Sequence, residues 1–137
     1  MLRHFSTRKS SLRGTQRKWM DRHVADPYVK AAKLQAYRSR AAFKLLEIDE
    51  KHRLLRAGMR VVDVGAAPGG WSQIIADKTK SLPGSETTVA VDLLNMQPLD
   101  GVHFIQGDIQ DEDTQKSVQK HLDWKKADLI VSDAVPD

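Results

Sequence analysis

The feature that most constrains the fold is a glycine-rich segment, Gly65-Ala66-Ala67-Pro68-Gly69-Gly70, at which the hydrophobic period changes. Residues 59–64 before it are a short β-branched run, typical of a buried parallel strand. Residues 71–80 after it carry apolar side chains at helical spacing. Such a turn brings backbone N–H groups and a helix N-terminus close to a ligand, although a plain strand-to-helix turn also explains the glycines alone.

The remaining segments predict an open α/β sheet. Strands are predicted at 87–92, 102–106 and 128–133, and a polar helix at 111–122. A helix is also predicted from about Arg40 to Arg53, with Ser39 as its cap and Gly58 as the stop signal beyond it, and an earlier helix begins at Asp26-Pro27. The link at 93–101 has room for a short helix. About four parallel strands preceded by helices are therefore expected.

Composition excludes several classes of protein. The 137 residues are enough for one domain, and no cysteine is present, so a disulfide scaffold, a thiolate metal site and a cysteine nucleophile are excluded. No apolar run approaches the length of a membrane-spanning helix, so no membrane insertion is expected. No metal site is predicted.

Charge is distributed unevenly along the chain. Residues 1–60 hold 16 Lys/Arg against 5 Asp/Glu, a net charge of +11, and residues 61–137 have a net charge of −7. A basic half indicates a polyanion partner, nucleic acid first, although a solvated basic face is the alternative. Residues 1–20 contain Arg and Ser but no acid, which favours a mitochondrial targeting segment over a disordered phosphate-binding arm. The expected domain then covers residues 21–137.

Three aspartates follow successive predicted strands: Asp92, Asp108 and Asp133. The carboxyl ends of parallel strands share one edge, where ligands bind, and a carboxylate after the second strand commonly accepts hydrogen bonds from a ribose. Each aspartate taken singly is also explained as a turn or cap residue. Ala67 stands where the dinucleotide fingerprint has the glycine that approaches a pyrophosphate. A ligand without a pyrophosphate, such as S-adenosylmethionine, does not need that glycine.

Six motifs occur together in this chain: Tyr37-Arg-Ser-Arg-Ala-Ala-Phe-Lys44, Val62-Asp-Val-Gly-Ala-Ala-Pro-Gly-Gly-Trp-Ser-Gln73, Val91-Asp-Leu-Leu94, Gly107-Asp108, Ser132-Asp-Ala-Val-Pro136 and Trp19-Met-Asp-Arg-His23. Together they resemble the FtsJ/RrmJ-type RNA ribose 2′-O-methyltransferases, and the mitochondrial large-subunit rRNA branch most. The resemblance covers about residues 17–137. It implies a Rossmann-like fold, S-adenosylmethionine as methyl donor, and a ribose of large-subunit rRNA as acceptor.

The resemblance also implies roles for individual residues. Lys44 and Asp133 match the first lysine and the aspartate of a Lys-Asp-Lys-Glu catalytic set; on composition alone Lys44 is a solvated helix lysine. Asp92 would hold the donor ribose, and Asp108 would lie near the adenine. The other residues expected around the donor are Gly65, Pro68, Gly69, Gly70, Trp71 and Asp133, with Gly69 and Trp71 at the methionine and ribose end.

The sequence also departs from the family. It ends at Asp137, before the family's second lysine and its glutamate, so a C-terminally truncated form is expected and its turnover is left open. The fourth strand would have a free edge, and its residues 129–131 would lose cover. Val135 replaces a usually smaller residue. The alternatives are a non-catalytic RNA-binding module, a nicotinamide-dependent oxidoreductase and a product that does not fold. A mitochondrial location is expected, with a nucleolar or cytoplasmic one as alternatives.

Overall fold

The computed structural model describes residues 37–133. Within them helices and strands alternate as in an α/β fold, except that the second and third strands follow each other with no helix between them. The elements, in chain order, are α1 (Ala41–His52), β1 (Val61–Val64), α2 (Gly70–Thr79), β2 (Thr88–Asp92), β3 (Val102–Gln106), α3 (Glu112–His121) and β4 (Leu129–Ser132).

The sheet has four parallel strands in the order β3-β2-β1-β4. The chain proceeds outward from β1 through β2 to β3, and then returns to place β4 on the other side of β1. The strand order therefore reverses between β1 and β4, and ligands of open α/β sheets bind at the carboxyl ends of strands flanking such a reversal.

The sheet is covered on both faces. Val61 and Val131 point toward α1 and α2 and join a core that includes Leu45 and Ile75, whereas Val62 points to the other face. There it meets Val89, Val91, Val118 of α3 and Leu122, which directly follows that helix. Burial on both faces explains why β1 and β2 read as continuous β-branched runs and not as alternating ones.

The predicted fold class and all seven elements are confirmed, but several local details are wrong. No side chain caps α1, which begins one residue after Arg40, so Ser39 is not its cap. The helix ends at His52, one residue before the predicted Arg53, and the residue that stops it is Arg53 in a left-handed conformation (φ 52°), not Gly58. The link at 93–101 contains no helix. The helix predicted at Asp26-Pro27, the segment 1–20 and Val135 lie outside the described residues.

Strand β4 is the outer strand on its side of the described sheet, as predicted. The side chains of β4 are only partly exposed to solvent. Ile130 is 47% exposed, but Val131 is fully buried and Leu129 packs against the core under α1 and α2, so the prediction was wrong for these two residues. Among residues 37–133, no helix has both the length and the apolar character needed to cross a membrane.

Candidate functional site

The glycine-rich loop curls over the carboxyl end of β2. The backbone N–H groups of Gly65 and Ala66 both donate to the carbonyl of Val91, at 2.8 and 3.2 Å. Gly65 and Gly69 have φ angles of 72° and 115°, which lie in the left-handed region that glycine occupies without steric cost. The loop therefore brings the end of β1 and the start of α2 beside the end of β2.

Asp92 fastens this loop. One carboxylate oxygen (Oδ2) accepts the Ala67 N–H at 2.8 Å, and the other (Oδ1) accepts the Leu94 N–H at 2.8 Å. A carboxylate has about four lone-pair sites, so Asp92 keeps acceptor capacity for the hydroxyl groups of a ligand. The residue is both part of the scaffold and available for binding.

Asp108 lies at the same edge of the sheet. The N–H of Gly107, its neighbour, donates to the main-chain carbonyl of Asp92 at 2.9 Å. The Asp108 carboxylate accepts the Gln110 N–H at 2.9 Å, which is the hydrogen bond of an Asx turn. The turn interpretation of Asp108 is thus confirmed, and the Gly107 hydrogen bond holds Asp108 at the edge of the sheet that carries Asp92.

Lys44 and Asp133 meet although they come from opposite ends of the described chain. Lys44 projects from α1 and Asp133 follows β4, and the ammonium nitrogen lies 3.6 Å from a carboxylate oxygen. Both side chains are partly exposed, at 25% and 33%. The structure therefore places a partly desolvated cation at the strand reversal between β1 and β4.

Asp63 is a buried carboxyl beneath the site that the sequence analysis did not select. It lies in β1, is 1% exposed, and accepts a 2.7 Å hydrogen bond from the Ser72 hydroxyl of α2. Burial raises the pKa of Asp63 to about 7; the Ser72 hydrogen bond opposes this rise, and the charges of Asp133 and Asp92 add to it. The sequence signal that could have identified Asp63 is the presence of an acidic residue within the valine-rich strand 61–64.

Arg38 is a second residue that sequence analysis missed. Its guanidinium donates to the carbonyl of Pro68 at 3.1 Å and to that of Pro98 at 2.7 Å, and it also bonds the carbonyl of Gln97. Its backbone N–H donates to the Gln73 side chain at 2.8 Å. Arg38 thereby connects the glycine loop with the loop after β2, a role that leaves no signal in the sequence.

The Trp71 side chain is buried between helices. It is 3% exposed, and its indole N–H donates to the Ala41 carbonyl of α1 at 2.8 Å. Trp71 is the second residue of α2, so its backbone lies in the first turn of that helix, directly after the glycine loop. A Cβ on neighbouring Gly69 would lie 3.0 Å from Leu99 and 3.2 Å from Met96, so this glycine permits close packing of the two loops.

Two leucines form an apolar surface beside Asp92. Leu93 and Leu94 are 66% and 69% exposed, among the most exposed large apolar side chains of the described residues. They follow directly after the carboxylate, at the end of β2. An apolar surface next to a few fixed polar groups is typical of a small-molecule site.

Comparison with known proteins agrees with this geometry. The model of the family described as FtsJ-like methyltransferase matches residues 37–137. The chain belongs to the FtsJ-like methyltransferase family. A candidate ribosomal RNA methyltransferase from Plasmodium falciparum has a similar structure, with a TM-score of 0.63, 36% sequence identity, and a match that covers 74% of this chain and 58% of that one.

Curated relatives carry the name ribosomal RNA large subunit methyltransferase E. The protein of Sinorhizobium fredii is 45% identical over 126 residues, which are 92% of this chain and 51% of that protein. The protein of Bradyrhizobium diazoefficiens is 53% identical over 115 residues, 84% of this chain and 50% of that protein. The chain thus spans about half the length of these FtsJ-like relatives.

Proposed function

We propose that the carboxyl edge of the sheet binds S-adenosylmethionine and that the chain serves the 2′-O-methylation of a ribose in large-subunit rRNA. The observation that carries the proposal is the assembly at one edge of the Asp92 clasp, the glycine loop and the Lys44–Asp133 pair. The relatives named for rRNA large-subunit methylation support the choice of substrate.

The described residues fit this donor. The spare acceptor sites of Asp92 suit ribose hydroxyls, and Leu93 and Leu94 offer an apolar surface to the adenosine. The loop has alanine at position 67, so it lacks the glycine that a pyrophosphate requires. Gly65, Pro68, Gly69, Gly70, the backbone of Trp71, Asp108 and Asp133 complete the proposed donor site.

Lys44 is proposed to act on the ribose hydroxyl. When bound, the donor supplies an electrophilic methyl group on a sulfonium. A ribose hydroxyl is a weak nucleophile at neutral pH, and a nearby cation stabilises the negative charge that develops on its oxygen. Asp133, 3.6 Å from the Lys44 ammonium, orients that cation. The resemblance assigns the proton-accepting role to the family's second lysine, which has no counterpart within these 137 residues.

Donor binding tests the proposal directly. Titrating the chain with S-adenosylmethionine by calorimetry should show saturable binding. Asp92→Ala should weaken it at least ten-fold, because the loop clasp and the ribose acceptor are both lost. Lys44→Ala should leave donor affinity within about two-fold, and Asp113→Ala on α3 is the matched control. Absence of saturable binding in the folded wild-type chain, checked by circular dichroism, would contradict the proposal.

Methyl transfer tests the role of Lys44. The test uses a form that extends through the family's second lysine and glutamate, with a large ribosomal subunit as acceptor of labelled methyl. In this form, Lys44→Ala should abolish transfer while donor binding persists. Loss of donor affinity in Lys44→Ala, or transfer at the wild-type rate, would contradict the assigned role.

The remaining proposals concern location. We propose a mitochondrial protein of the large-subunit rRNA branch, on the basis of the Arg/Ser-rich, acid-free residues 1–20. A fluorescent reporter fused behind these residues should colocalise with mitochondria, and replacement of their arginines by alanine should abolish this. Nucleolar or cytoplasmic fluorescence of the unaltered fusion would overturn it.

A further inference from the structure

Three side chains converge at the amino-terminal edge of the sheet, opposite the glycine loop. Glu86 lies just before β2, His103 is the second residue of β3, and His121 is the last residue of α3. One ligand atom from each lies within 4.8 Å of those from the other two. No other group of three or more such ligands occurs within residues 37–133. The cluster is therefore separate from the proposed donor site.

One histidine is already fixed in the tautomer that a metal ion requires. The Nε2 atom of His121 lies 2.8 Å from the main-chain carbonyl of Glu86. A carbonyl only accepts, so Nε2 carries the proton, and in the neutral ring Nδ1 keeps a lone pair. Metal-binding histidines characteristically donate their second ring N–H to a carbonyl or carboxylate in this way.

One oxygen of the Glu86 carboxylate has no hydrogen bond within the described part of the chain to offset its burial. The Oε2 atom of Glu86 is buried and has no hydrogen-bond partner among the described residues. A buried carboxylate oxygen without a partner is costly, and a bound cation removes that cost. The position of His121 in the last turn of α3 adds the negative end of the helix dipole, which also favours a cation.

The two imidazoles lie face to face. Their ring centroids are 3.8 Å apart and their planes differ by 7°. The stack brings two candidate ligands together from β3 and α3.

We propose that Glu86, His103 and His121 bind a divalent transition-metal ion, zinc first. Two imidazoles and one carboxylate are a known zinc ligand set, and all three side chains are only half-buried, so water can fill the fourth position. Zinc bonds of about 2.0–2.2 Å hold tetrahedral ligands about 3.4 Å apart. Binding therefore requires the cluster to contract and the imidazoles to rotate out of their stack.

Zinc chloride titrated into the chelator-treated 137-residue chain by calorimetry tests this. We expect one ion per chain, a higher melting temperature with zinc, and a tetrahedral absorption spectrum with cobalt(II). Each of His103→Ala, His121→Ala and Glu86→Gln should weaken zinc binding at least ten-fold. His52→Ala, which removes a histidine from the last turn of α1, should leave it unchanged.

Two results would overturn the proposal. The first is the absence of zinc uptake by the folded wild-type chain. The second is wild-type affinity in the three variants, since binding would then reside elsewhere, for example at His4 or His23. Glu86→Gln preserves side-chain size, and circular dichroism of each variant distinguishes loss of the site from loss of the fold. Donor binding is measured in the same samples and does not depend on the outcome.

Discussion

At the scale of single residues, the most consequential position is Asp63. A carboxyl that is 1% exposed lies in β1 between two strands whose ends carry Asp92 and Asp133. Its hydrogen bond with Ser72 joins β1 to α2 directly below the glycine loop. The same burial that fixes this bond raises the pKa of Asp63 to about 7. Protonation of the Asp63 carboxyl therefore affects the stability of the folded chain.

We expect Asp63→Asn to alter the pH dependence of stability. The pKa of Asp63 in the folded chain, about 7, lies above the ordinary aspartate value of 3.8, so the folded chain binds more protons than the unfolded chain between these pH values. Stability contributed by Asp63 is then full below about pH 4 and is lost as pH rises toward 7, by a few kcal/mol. Asparagine should remove that slope while still accepting the Ser72 hydroxyl. Urea denaturation from pH 4 to about 8 measures it.

The control for this experiment is Asp113→Asn, which changes an exposed carboxyl on α3. It should retain the wild-type decline in stability with rising pH. If Asp63→Asn showed the same decline as the wild-type chain, the titration would belong to a different group and the assignment to Asp63 would be wrong.

Residue roles could be predicted from the sequence only where the backbone pattern fixes the position. Asp92 and Asp133 were predicted because each ends a strand, and parallel strands bring such ends to one edge. The Lys44–Asp133 contact was not predictable from pattern, since helix and strand meet only through tertiary packing; the family motif supplied it. Arg38 escaped prediction because its partners are main-chain carbonyls, which every residue has.

At the scale of elements, the junction between α1 and α2 determines how the loop is held. Trp71 binds the Ala41 carbonyl, and Ser39 packs against Gly70, where a Cβ would collide with the serine hydroxyl. Helix α2 thus begins with a glycine because the chain entering α1 passes directly over it. Such contacts set how closely the two helices approach.

Gly70→Ala should therefore destabilise the chain by about 1–3 kcal/mol, because overpacking forces a shift of Ser39. Ser39→Ala alone should have a small effect, and the double variant should recover most of the lost stability because the colliding hydroxyl is gone. Urea denaturation of the four proteins forms a double-mutant cycle. Additive effects of the two substitutions would contradict the proposed collision.

Strands were easier to predict than helix ends. Runs such as Val61-Val62 and Val89-Ala90-Val91 are buried on both faces, and their composition alone shows it. The end of α1 was predicted within one residue, but its stop signal was assigned to Gly58, whereas Arg53 takes the left-handed conformation without a glycine. The hydrogen bond from the Leu55 N–H to Asp49 holds the chain there, and nothing in the local sequence marks it.

At the scale of the whole molecule, the basic front half favours the proposed contact with rRNA. Residues 1–60 have a net charge of +11, and the described part of this segment presents exposed cations such as Lys51, Arg53 and Arg56 around the end of α1. Electrostatic contact with phosphates is sequence-independent and releases counterions. This property belongs to a methyltransferase and to a non-catalytic RNA-binding module alike.

Binding of a large-subunit rRNA fragment should therefore weaken steeply with salt, with a slope of log affinity against log salt of about −0.9 per phosphate neutralised. Filter binding between about 50 and 200 mM salt measures this slope. Arg56→Gln should make it shallower by about 1 if that residue meets a phosphate. Lys116→Gln, in the acidic half, is the control. Binding that does not change with salt would contradict the prediction that contacts between cations and phosphates hold the RNA.

Arg38 connects two loops with the chain that enters α1. Its guanidinium donates hydrogen bonds to three carbonyls from two loops, those of Pro68, Gln97 and Pro98. The backbone of Arg38 leads into α1. Loss of this guanidinium would leave three main-chain carbonyls without their donor and would free the glycine loop from the loop after β2.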